Sequence, residues 1–311
     1  MNSSQLTELP AAYYDQDDGI NRCPACHTPR FSLLYRVTHF GFPFEFYRCE
    51  CGLTKQAPMP NEAFFEWFFN SELFFSAKET DTDEIWGFYD YFKDESSRLR
   101  TSKRRFAKLS KLLNWDSTQS IMKIGPSTGT FLHVSQGAGH SVLGCDVSDR
   151  FIQYARETYG VPIDHGRFER VGYKDQQFDA VLLFNVVENV PNIEEFLGAI
   201  HRSLKLNGHF IINHVEMKSN LIARFQKDKY FLYRPPICYG FENETLAMLL
   251  NRLGFEEQYR VRDVRYLHIE KISTLLRWRW LLKLAEVTGI SRIEFPVWAY
   301  PSWISVYKRV S

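Results

Sequence analysis

The sequence has no long hydrophobic run and no excess of either charge. None of its apolar stretches reaches the roughly 18 uncharged residues that a membrane-spanning helix needs, so no span is expected. The opening segment MNSSQLTELPAAYYDQ lacks the basic and apolar parts of a secretory signal, which predicts a cytoplasmic protein. With 38 basic and 37 acidic residues, the net charge of +1 predicts no general attraction to nucleic acid or to an anionic membrane.

Cysteine is scarce, with six residues in 311, but four of the six are clustered. They form two close pairs: Cys23 with Cys26, and Cys49 with Cys51. Two such pairs suit one tetrahedral Zn²⁺ ion, and four thiolates would leave no open ligand position, so the ion would be structural. Disulfides or free thiols are the alternatives, and a cytoplasmic location argues against disulfides. The second pair is one residue tighter than usual, which leaves His27 or His39 as a substitute ligand.

The most informative segment is residues 121–146, IMKIGPSTGTFLHVSQGAGHSVLGCD. An apolar run enters a turn that contains Gly125 and Gly129, a helix follows, and a second apolar run ends in Asp146. This layout is typical of a nucleotide-binding half of an α/β sheet, with the acid about 20 residues after the first glycine to accept hydrogen bonds from a ribose. The alternative is that the glycines serve only helix packing.

Three further segments extend this pattern. Residues 178–185, FDAVLLFN, predict a buried parallel strand with Asn185 at its carboxyl end, which is the edge where ligands bind in open α/β sheets. A turn then leads to a predicted helix over residues 193–204. The segment LKLNG closes that helix, and residues 209–213 predict the next strand.

Taken in order, these segments resemble a class I S-adenosylmethionine-dependent methyltransferase over about residues 100–260. The first loop is similar to the glycine-rich motif of that family, FDAVLLFNVVENVPN to its fourth-strand motif, and LKLNGHFII to its next strand. The resemblance implies a Rossmann-like α/β fold with a seven-stranded sheet whose last strand is antiparallel, and S-adenosylmethionine as cofactor. The implied cofactor-binding residues are Gly125, Ser127, Gly129, Asp146, Val147, Arg167, Phe168, Phe184, Asn185 and Tyr91, with Tyr89 as a weaker candidate.

Three positions depart from the family pattern. Lys123 stands where the family has an acid that helps to hold the methionine amine, and a cation there is unfavourable unless its side chain turns into solvent. Ser127 replaces the middle glycine, which is tolerable if its φ is negative. Asn189 replaces the histidine of a Glu-His pair. These departures motivate a second hypothesis, a degenerate, non-catalytic protein that acts as a partner or scaffold.

Two sets of residues bear on the identity of the methyl acceptor: the candidate catalytic bases and the cysteine segment. His214, after the fifth strand, and Glu188, after the fourth, are the candidate catalytic bases, although either could serve only a supporting role. CPACHTP…YRCECGL is similar to a small zinc ribbon ahead of some class I methyltransferases that act on sugars and other small metabolites. This resemblance implies a small polar acceptor, such as a sugar or nucleotide-sugar hydroxyl.

A third hypothesis is an RNA methyltransferase that grips its substrate with the ribbon and the basic side chains of residues 98–111. The near-neutral charge counts against it, and so does the absence of the Pro-Pro motif that base-amine methyltransferases carry after strand 4. A solvated helix face is the simpler interpretation of those basic residues. Nucleic acid is therefore not the expected partner, and the sequence gives no oligomeric state.

The chain divides into three predicted regions. Residues 1–58 form the zinc ribbon, residues 59–115 a helical connector, and residues 116–311 the cofactor domain, with a cap at about 214–240 and 265–300. Apolar spacing predicts helices over residues 61–75, 96–114, 243–254 and 272–287. Residues 302–308 predict the last, antiparallel strand.

Overall fold

The computed structural model describes residues 11–15, 21–39, 42–75, 91–218, 220–230, 232–269, 287–288, 293–297 and 302–311. These residues build three sheets, of four, seven and two strands. In the two-stranded sheet, β11 (Arg265–His268) pairs with β12 (Glu294–Val297). Most of the predicted helix over residues 272–287 lies outside the described residues.

The four-stranded sheet contains the cysteine-rich region. Its first three strands, β1 (Phe31–His39), β2 (Phe42–Cys49) and β3 (Thr54–Ala57), are antiparallel neighbours. The fourth strand, β9 (Tyr239–Gly240), comes from much later in the chain and pairs with β3. The four-stranded sheet therefore includes a strand from the region predicted to be the cap of the cofactor domain.

The predicted helix over residues 61–75 is wrong as a single element. The structure has two short helices, α1 (Glu62–Phe68) and α2 (Glu72–Phe75). Between them, Asn70 Nδ2 donates to the carbonyl of Glu66, and the Ser71 hydroxyl donates to the carbonyl of Phe68 at 2.8 Å. Such side chains compete with helical hydrogen bonding, so the chain turns where the apolar periodicity alone predicts continuity.

The seven-stranded sheet confirms the predicted fold class. Its strands are β4 (Ser120–Ile124), β5 (Ser141–Asp146), β6 (Ile163–His165), β7 (Phe178–Phe184), β8 (Leu204–Val215), β10 (Phe255–Arg262) and β13 (Ser302–Arg309). The spatial order is β10-β13-β8-β7-β4-β5-β6, and β13 runs antiparallel to both of its neighbours. The chain leaves β4 towards β5 and later returns to pair β7 on the other side, so the switch point where ligands bind in such sheets lies at β4.

Helices cover both faces of this sheet. They are α3 (Glu95–Leu113), α4 (Thr130–Gly137), α5 (Asp149–Tyr159), α6 (Phe168–Val171), α7 (Ile193–Ser203), α8 (Leu221–Gln226) and α9 (Asn243–Arg252). Helices α3, α4 and α5 pack on one face, against alternate strand residues such as Ile121 and Ile211. Helices α7 and α9 pack on the other, against Met122 and Ile212. In the described part of the chain, no helix is both long and apolar enough to cross a bilayer.

The hydrophobic core under α7 and α9 continues into the four-stranded sheet. Phe44, Phe46 and Leu53 belong to the same buried cluster as Met122 of β4 and Leu246 of α9. Burial of aromatic and aliphatic side chains is the main stabilising term in a domain of this size. The four-stranded sheet and the seven-stranded sheet therefore share part of one core.

Candidate active site and cysteine cluster

The glycine loop connects the end of β4 to α4 at the switch point. Gly125 and Gly129 adopt φ values of 59° and 84°, which L-residues rarely adopt. A β-carbon on Gly125 would lie 2.7 Å from Val186, and one on Gly129 would lie 2.8 Å from Ala155. Both glycines are therefore required, the first for the approach of the segment after β7 and the second for the packing of α5.

Ser127, the residue in the middle of this loop, has a φ of +56°, so the expected negative φ is not found. A left-handed conformation costs an L-residue about 1–2 kcal/mol. Two hydrogen bonds offset part of that cost. The Ser127 backbone N–H donates to Asp146 Oδ2 at 3.3 Å, and its hydroxyl lies 2.7 Å from the Tyr91 hydroxyl.

Asp146 occupies the carboxyl end of β5, where the ribose-binding acid is predicted. Its carboxylate is 8% exposed and accepts hydrogen bonds from the backbone N–H groups of Ser127 and Ser148, the latter at 3.0 Å. Burial raises its pKa to about 6, although these bonds and Lys123 act in the opposite direction. The carboxylate therefore joins the glycine loop to the end of β5, and it is mostly ionised at neutral pH.

Lys123 does not turn into solvent. Its residue is 3% exposed, and its Nζ donates to the carbonyl oxygens of Ile124 at 2.8 Å and Gly125 at 3.2 Å. The same Nζ lies 4.8 Å from the centre of the Phe184 ring. Burial, and then the positive charge of Arg105, lower the pKa of Lys123 to about 7. The cation is thus held inside the site, against the first turn of the loop.

A second polar cluster lies at the carboxyl ends of β7 and β8. Arg105 of α3 lies over the Phe184 ring at 4.5 Å and donates to both oxygens of Asp263. Arg265 also donates to Asp263, at 3.1 Å, and to Asn185 Oδ1 at 2.7 Å. Burial opposes ionisation of Asp263, but the two arginines hold its pKa well below the usual range. This cluster fixes Asn185, whose φ is +56°, at the strand end where the sequence predicts a cofactor contact.

Sequence reasoning missed the three charged members of this cluster. Arg105 was one basic residue among seven on α3, and Asp263 and Arg265 lie in an irregular segment without a motif. Other basic side chains of α3 are also engaged within the chain. Arg98 stacks on the Tyr91 ring at 3.8 Å, and Arg100 pairs with Glu294 at 3.3 Å. Arg98, Arg100 and Arg105 therefore have partners within the chain, whereas Lys103, Arg104, Lys108 and Lys111 are exposed. The RNA hypothesis stays a prediction.

Glu188 lies in a short 3-10 turn, Val187–Asn189, that directly follows β7. Its side chain is buried, and Oε1 accepts the backbone N–H of Val215 at 3.0 Å. Oε2 is buried without a hydrogen-bond partner among the described residues. Burial raises the pKa of Glu188 to about 7, which is the range that a general base needs near neutral pH.

His214 is buried to a similar degree as Glu188, but it lies within strand β8 and not in a turn at the sheet edge. It is 1% exposed, and neither ring nitrogen has a hydrogen-bond partner in the described part of the chain. Alternation along β8 puts it on the same face as Phe210 and Ile212, under the layer of α7 and α9. Burial lowers its pKa to about 4, so the imidazole is neutral at physiological pH but sequestered. Its catalytic role stays a prediction.

The other predicted cofactor-binding residues differ in their surroundings. Phe168 is a core residue, 3% exposed and packed on Tyr173 at 4.9 Å, so its ring has no open face for an adenine. Arg167 pairs with Glu62 at 3.3 Å as well as with Glu169. The half-buried Val147 uses its carbonyl to accept a hydrogen bond from Asn70. Tyr89 lies outside the described residues.

The four clustered cysteines converge on one point. Their Sγ atoms all lie within 4.8 Å of one another, with Cys23 and Cys51 3.6 Å apart and Cys26 and Cys49 3.5 Å apart. Sulfurs bound at about 2.3 Å to a tetrahedral ion are separated by about 3.8 Å. The cluster therefore has the dimensions of a metal site despite the short second pair.

The two substitute ligands lie elsewhere. His27 contacts Glu194 at 3.0 Å, and His39 Nε2 lies 3.3 Å from the carbonyl oxygen of Tyr233. No histidine of the described residues joins the cysteine cluster. The site that the structure supports therefore has four sulfur ligands only.

A cleft of about 480 Å³ lies between the four-stranded sheet, α1, α6 and the start of α7. Its charged lining residues are Asp15, Lys55, Glu62, Arg167, Arg170 and Glu195. The cleft adjoins the end of β6, because Arg167 follows Gly166, whose N–H donates to the carbonyl of Asp146. Sequence patterns did not indicate this cleft, since its walls come from segments far apart in the chain.

Residues 122–212 match the model of a family described as a methyltransferase domain. This range contains the glycine loop, Asp146 and β7, and the strand order around it is the one described above. The chain carries a class I S-adenosylmethionine-dependent methyltransferase domain. The resemblance inferred from the four ordered motifs is thereby confirmed.

Known relatives of the methyltransferase domain agree with this assignment. The chain is 25% identical over 173 residues to a demethylmenaquinone methyltransferase from Tropheryma whipplei, covering 47% of this chain and 70% of the relative. It is 33% identical over 100 residues to a ubiquinone biosynthesis O-methyltransferase from Paramagnetospirillum magneticum, covering 30% and 39%. A solved structure from Bacillus halodurans, of a protein assigned to the methyltransferases, has the same fold, with a TM-score of 0.51 and 14% identity over 67% of this chain and all of that one.

The site of the methyltransferase domain fits S-adenosylmethionine. The left-handed glycine loop lets a ligand approach the backbone, and the Asp146 carboxylate at the next strand end can accept hydrogen bonds from a ribose. The Tyr91 hydroxyl lies 2.7 Å from the Ser127 hydroxyl of this loop, and its contact with the cofactor stays a prediction. At the methionine end of the site, Lys123 replaces the acid of the family motif.

Proposed function

We propose that the methyltransferase domain transfers a methyl group to a hydroxyl of a small polar metabolite, with a sugar or nucleotide sugar as the acceptor class. Bound S-adenosylmethionine supplies an already activated methyl group, so the chain has to align the acceptor and exclude water. A hydroxyl acceptor also has to lose its proton. The acceptor side of the site must therefore contain a base.

Glu188 is the observation that carries this proposal. It is buried directly after β7, at the carboxyl edge of the sheet, and its Oε2 has no hydrogen-bond partner among the described residues. We propose that Oε2 takes the acceptor proton. Its pKa of about 7 leaves the ionised form available at neutral pH and still makes it a stronger base than an exposed carboxylate. His214 is the second candidate, as the neutral imidazole.

The cleft beside the ribbon supports a polar acceptor. Six of its eleven lining residues are charged, and Met59, Pro191 and Tyr239 are its main apolar members. Several of these charges pair with one another: Glu62 with Arg167 and Arg170, and Glu195 with Arg170. A substrate with several hydroxyl groups could make hydrogen bonds to these pairs, whereas an apolar substrate would remove water from them without replacing its hydrogen bonds.

A phenolic hydroxyl of a quinone precursor is a second candidate acceptor. The relatives are named for demethylmenaquinone and for ubiquinone biosynthesis, the latter with oxygen as acceptor atom. A phenol loses its proton more easily than a sugar hydroxyl, so a carboxylate base with a pKa of about 7 also suits it. The charged cleft argues against a long apolar tail on such an acceptor.

Methyl transfer from labelled S-adenosylmethionine to panels of nucleotide sugars and of small phenols tests the acceptor class. Incorporation into the sugar panel is expected. Incorporation into the phenols alone would replace the proposed acceptor with the second candidate.

Glu188→Gln tests the base. With the natural chain, kcat/KM should rise with pH through about 7, because only the ionised carboxylate accepts a proton. The variant should lose about 100-fold or more in kcat and should lose this rise, since general base catalysis contributes roughly that factor. Glu157→Gln, an exposed glutamate on α5, is the matched control and should behave like the natural chain. Activity and a pH profile unchanged in Glu188→Gln would leave His214 as the base to test.

We also propose that Cys23, Cys26, Cys49 and Cys51 hold one structural Zn²⁺ ion. The separations of the sulfurs support this, and thiolates are the ligands that zinc prefers in closed sites. The ion would hold the turns before β1 and after β2 together, beside the cleft. No acceptor chemistry is assigned to it, because four sulfur ligands leave no open position.

A further inference from the structure

Lys123 is a buried amine whose pKa of about 7 leaves it partly charged at neutral pH, and it has no carboxylate partner among the described residues. No carboxylate of the described residues lies within 4.0 Å of its Nζ, and its hydrogen bonds go to the carbonyl oxygens of Ile124 and Gly125. A buried ammonium that neutral oxygens and an aromatic ring contact is energetically unfavourable compared with one that pairs with an anion. The site therefore favours a ligand that brings negative charge to this point.

The charged groups around Lys123 do not supply that anion. Arg105, which shares the Phe184 ring with it, is cationic and already paired with Asp263. Asp146 attracts Lys123, but its carboxylate is engaged by the backbone of Ser127 and Ser148. Lys123 is the charge in this part of the site that remains uncompensated.

The position of the Lys123 amine also affects how the cofactor is held. The carbonyl oxygens at the first turn of the glycine loop are acceptors that a ligand ammonium could use, and here the lysine of the chain uses two of them. A ligand with both an ammonium and a carboxylate group would gain by directing the carboxylate to this point.

We propose that Lys123 binds the carboxylate of the amino-acid part of S-adenosylmethionine, and so determines which cofactor analogues this chain accepts. The inference rests on the proposed methyl-transfer function and reverses the role of the acidic residue that the family pattern has at this position. The acid of the family pattern helps to hold the amine of the cofactor, whereas Lys123 would hold its carboxylate. Affinity should depend on the presence of the carboxylate in the ligand.

The proposed contact also couples cofactor binding to the protonation of Lys123. Without a ligand, Lys123 is partly neutral near pH 7, because burial and Arg105 disfavour its charged form. A bound carboxylate favours the charged form and raises the pKa, so binding takes up a proton above pH 7. The Kd should then rise with pH between about 7 and 8.5, by up to about tenfold per unit.

Calorimetry with two ligands tests the inference directly. S-adenosylhomocysteine carries the amino-acid part, and 5′-methylthioadenosine carries the same nucleoside and thioether without it. Lys123→Met should weaken binding of S-adenosylhomocysteine by about 10- to 100-fold, as expected for loss of a charged hydrogen bond. It should leave 5′-methylthioadenosine unchanged, because that ligand has no carboxylate.

Proton uptake gives a readout that does not depend on a variant. Titrations at pH 8 in two buffers of different ionisation enthalpy should show uptake of up to one proton by the natural chain with S-adenosylhomocysteine. Lys123→Met retains every other titrating group and should show markedly less.

Each outcome of these titrations decides between the inference and an alternative. Tighter binding of S-adenosylhomocysteine by Lys123→Met or Lys123→Asp would overturn the inference and would mean that the lysine repels the cofactor. Equal weakening for both ligands, or no proton uptake by the natural chain, would overturn it as well. Failure of both ligands to bind the natural chain would instead count against the methyl-transfer function itself.

Discussion

The cysteine cluster and the glycine loop are both candidate ligand sites, but their atoms are held in place in different ways. In the cluster, four sulfurs lie within 4.8 Å of one another, at the ends of short strands and turns. In the loop, the Asp146 carboxylate accepts two backbone N–H groups and the Lys123 ammonium donates to two carbonyls. The loop is bonded internally, whereas the sulfurs have few partners besides one another.

The difference shows where each site obtains its stability. Thiolates that converge at this distance repel one another unless an ion lies between them, so the geometry of the cluster depends on its ligand. The glycine loop is stabilised by its own hydrogen bonds and by packing against α5 and Val186. Removal of the ligand should therefore loosen the first site and leave the second folded.

Removal of zinc should have the largest effect. We expect that chelation, or Cys26→Ser, loosens residues 21–57 and α1, because structural zinc supplies on the order of 10 kcal/mol of binding free energy to small domains. The seven-stranded sheet should remain folded but less stable, since Phe44 and Phe46 belong to its core. Hydrogen exchange and metal analysis of freshly purified protein measure both effects.

Cys145→Ala is the control for this experiment, because its thiol is buried in β5 away from the cluster. That variant should keep one zinc per chain. A natural chain with much less than one zinc and with all four clustered thiols freely titratable would show that the cluster does not depend on a metal.

Asp146→Asn should separate ligand binding from folding in the glycine loop. The variant should bind S-adenosylhomocysteine about 10- to 100-fold more weakly, because it loses hydrogen bonds to a charged acceptor. Without ligand it should be less stable at pH 7.5 by about 1–3 kcal/mol, because an amide has one acceptor oxygen and its NH2 group would face one of the two N–H donors, those of Ser127 and Ser148. Part of this loss should be offset at pH 7.5, because burial raises the pKa of Asp146 to about 6 and asparagine avoids the burial of a charge.

Calorimetry and thermal melts at pH 5 and pH 7.5 check these two effects. Asp149→Asn removes an exposed carboxylate three residues further on and should change neither. Loss of folding in Asp146→Asn would contradict the conclusion that the loop is held mainly by its own backbone.

Substitution of Ser127 should have the smallest effect on stability. Ser127→Ala loses the hydroxyl contact to Tyr91 and keeps the left-handed backbone cost, whereas Ser127→Gly loses both. The glycine variant should therefore be more stable than the alanine variant by about 1 kcal/mol. Urea unfolding of the two variants measures this difference directly. Equal stabilities would mean that the loop relaxes out of the left-handed region.

Much of the fold could be predicted because its signals are local. Apolar runs with polar ends located β4, β5, β7 and β8, and the acid at the end of β5 followed from its spacing to Gly125. The cysteine pairs converge as their spacing predicted. In each case a few neighbouring residues carry the information.

The rest depends on contacts between segments that no local pattern connects. The β3–β9 pairing involves two residues of β9, too few to give a periodicity. Arg105 and Asp263 are 158 positions apart. Lys123 and Phe168 were interpreted from residue type and motif position, and packing decided otherwise: the lysine is buried and the phenylalanine lies in the core.

The pairing of β3 with β9 has a consequence for synthesis on the ribosome. β3 is complete when residue 57 has been made, but its partner, Tyr239–Gly240, emerges about 180 residues later. At ≈ 5–20 residues per second, that interval lasts about 10–40 s. During this time the nascent chain exposes an unpaired strand edge, which is a site for incorrect association with other chains. An early zinc ion would fix the turns of the ribbon but would not cover that edge.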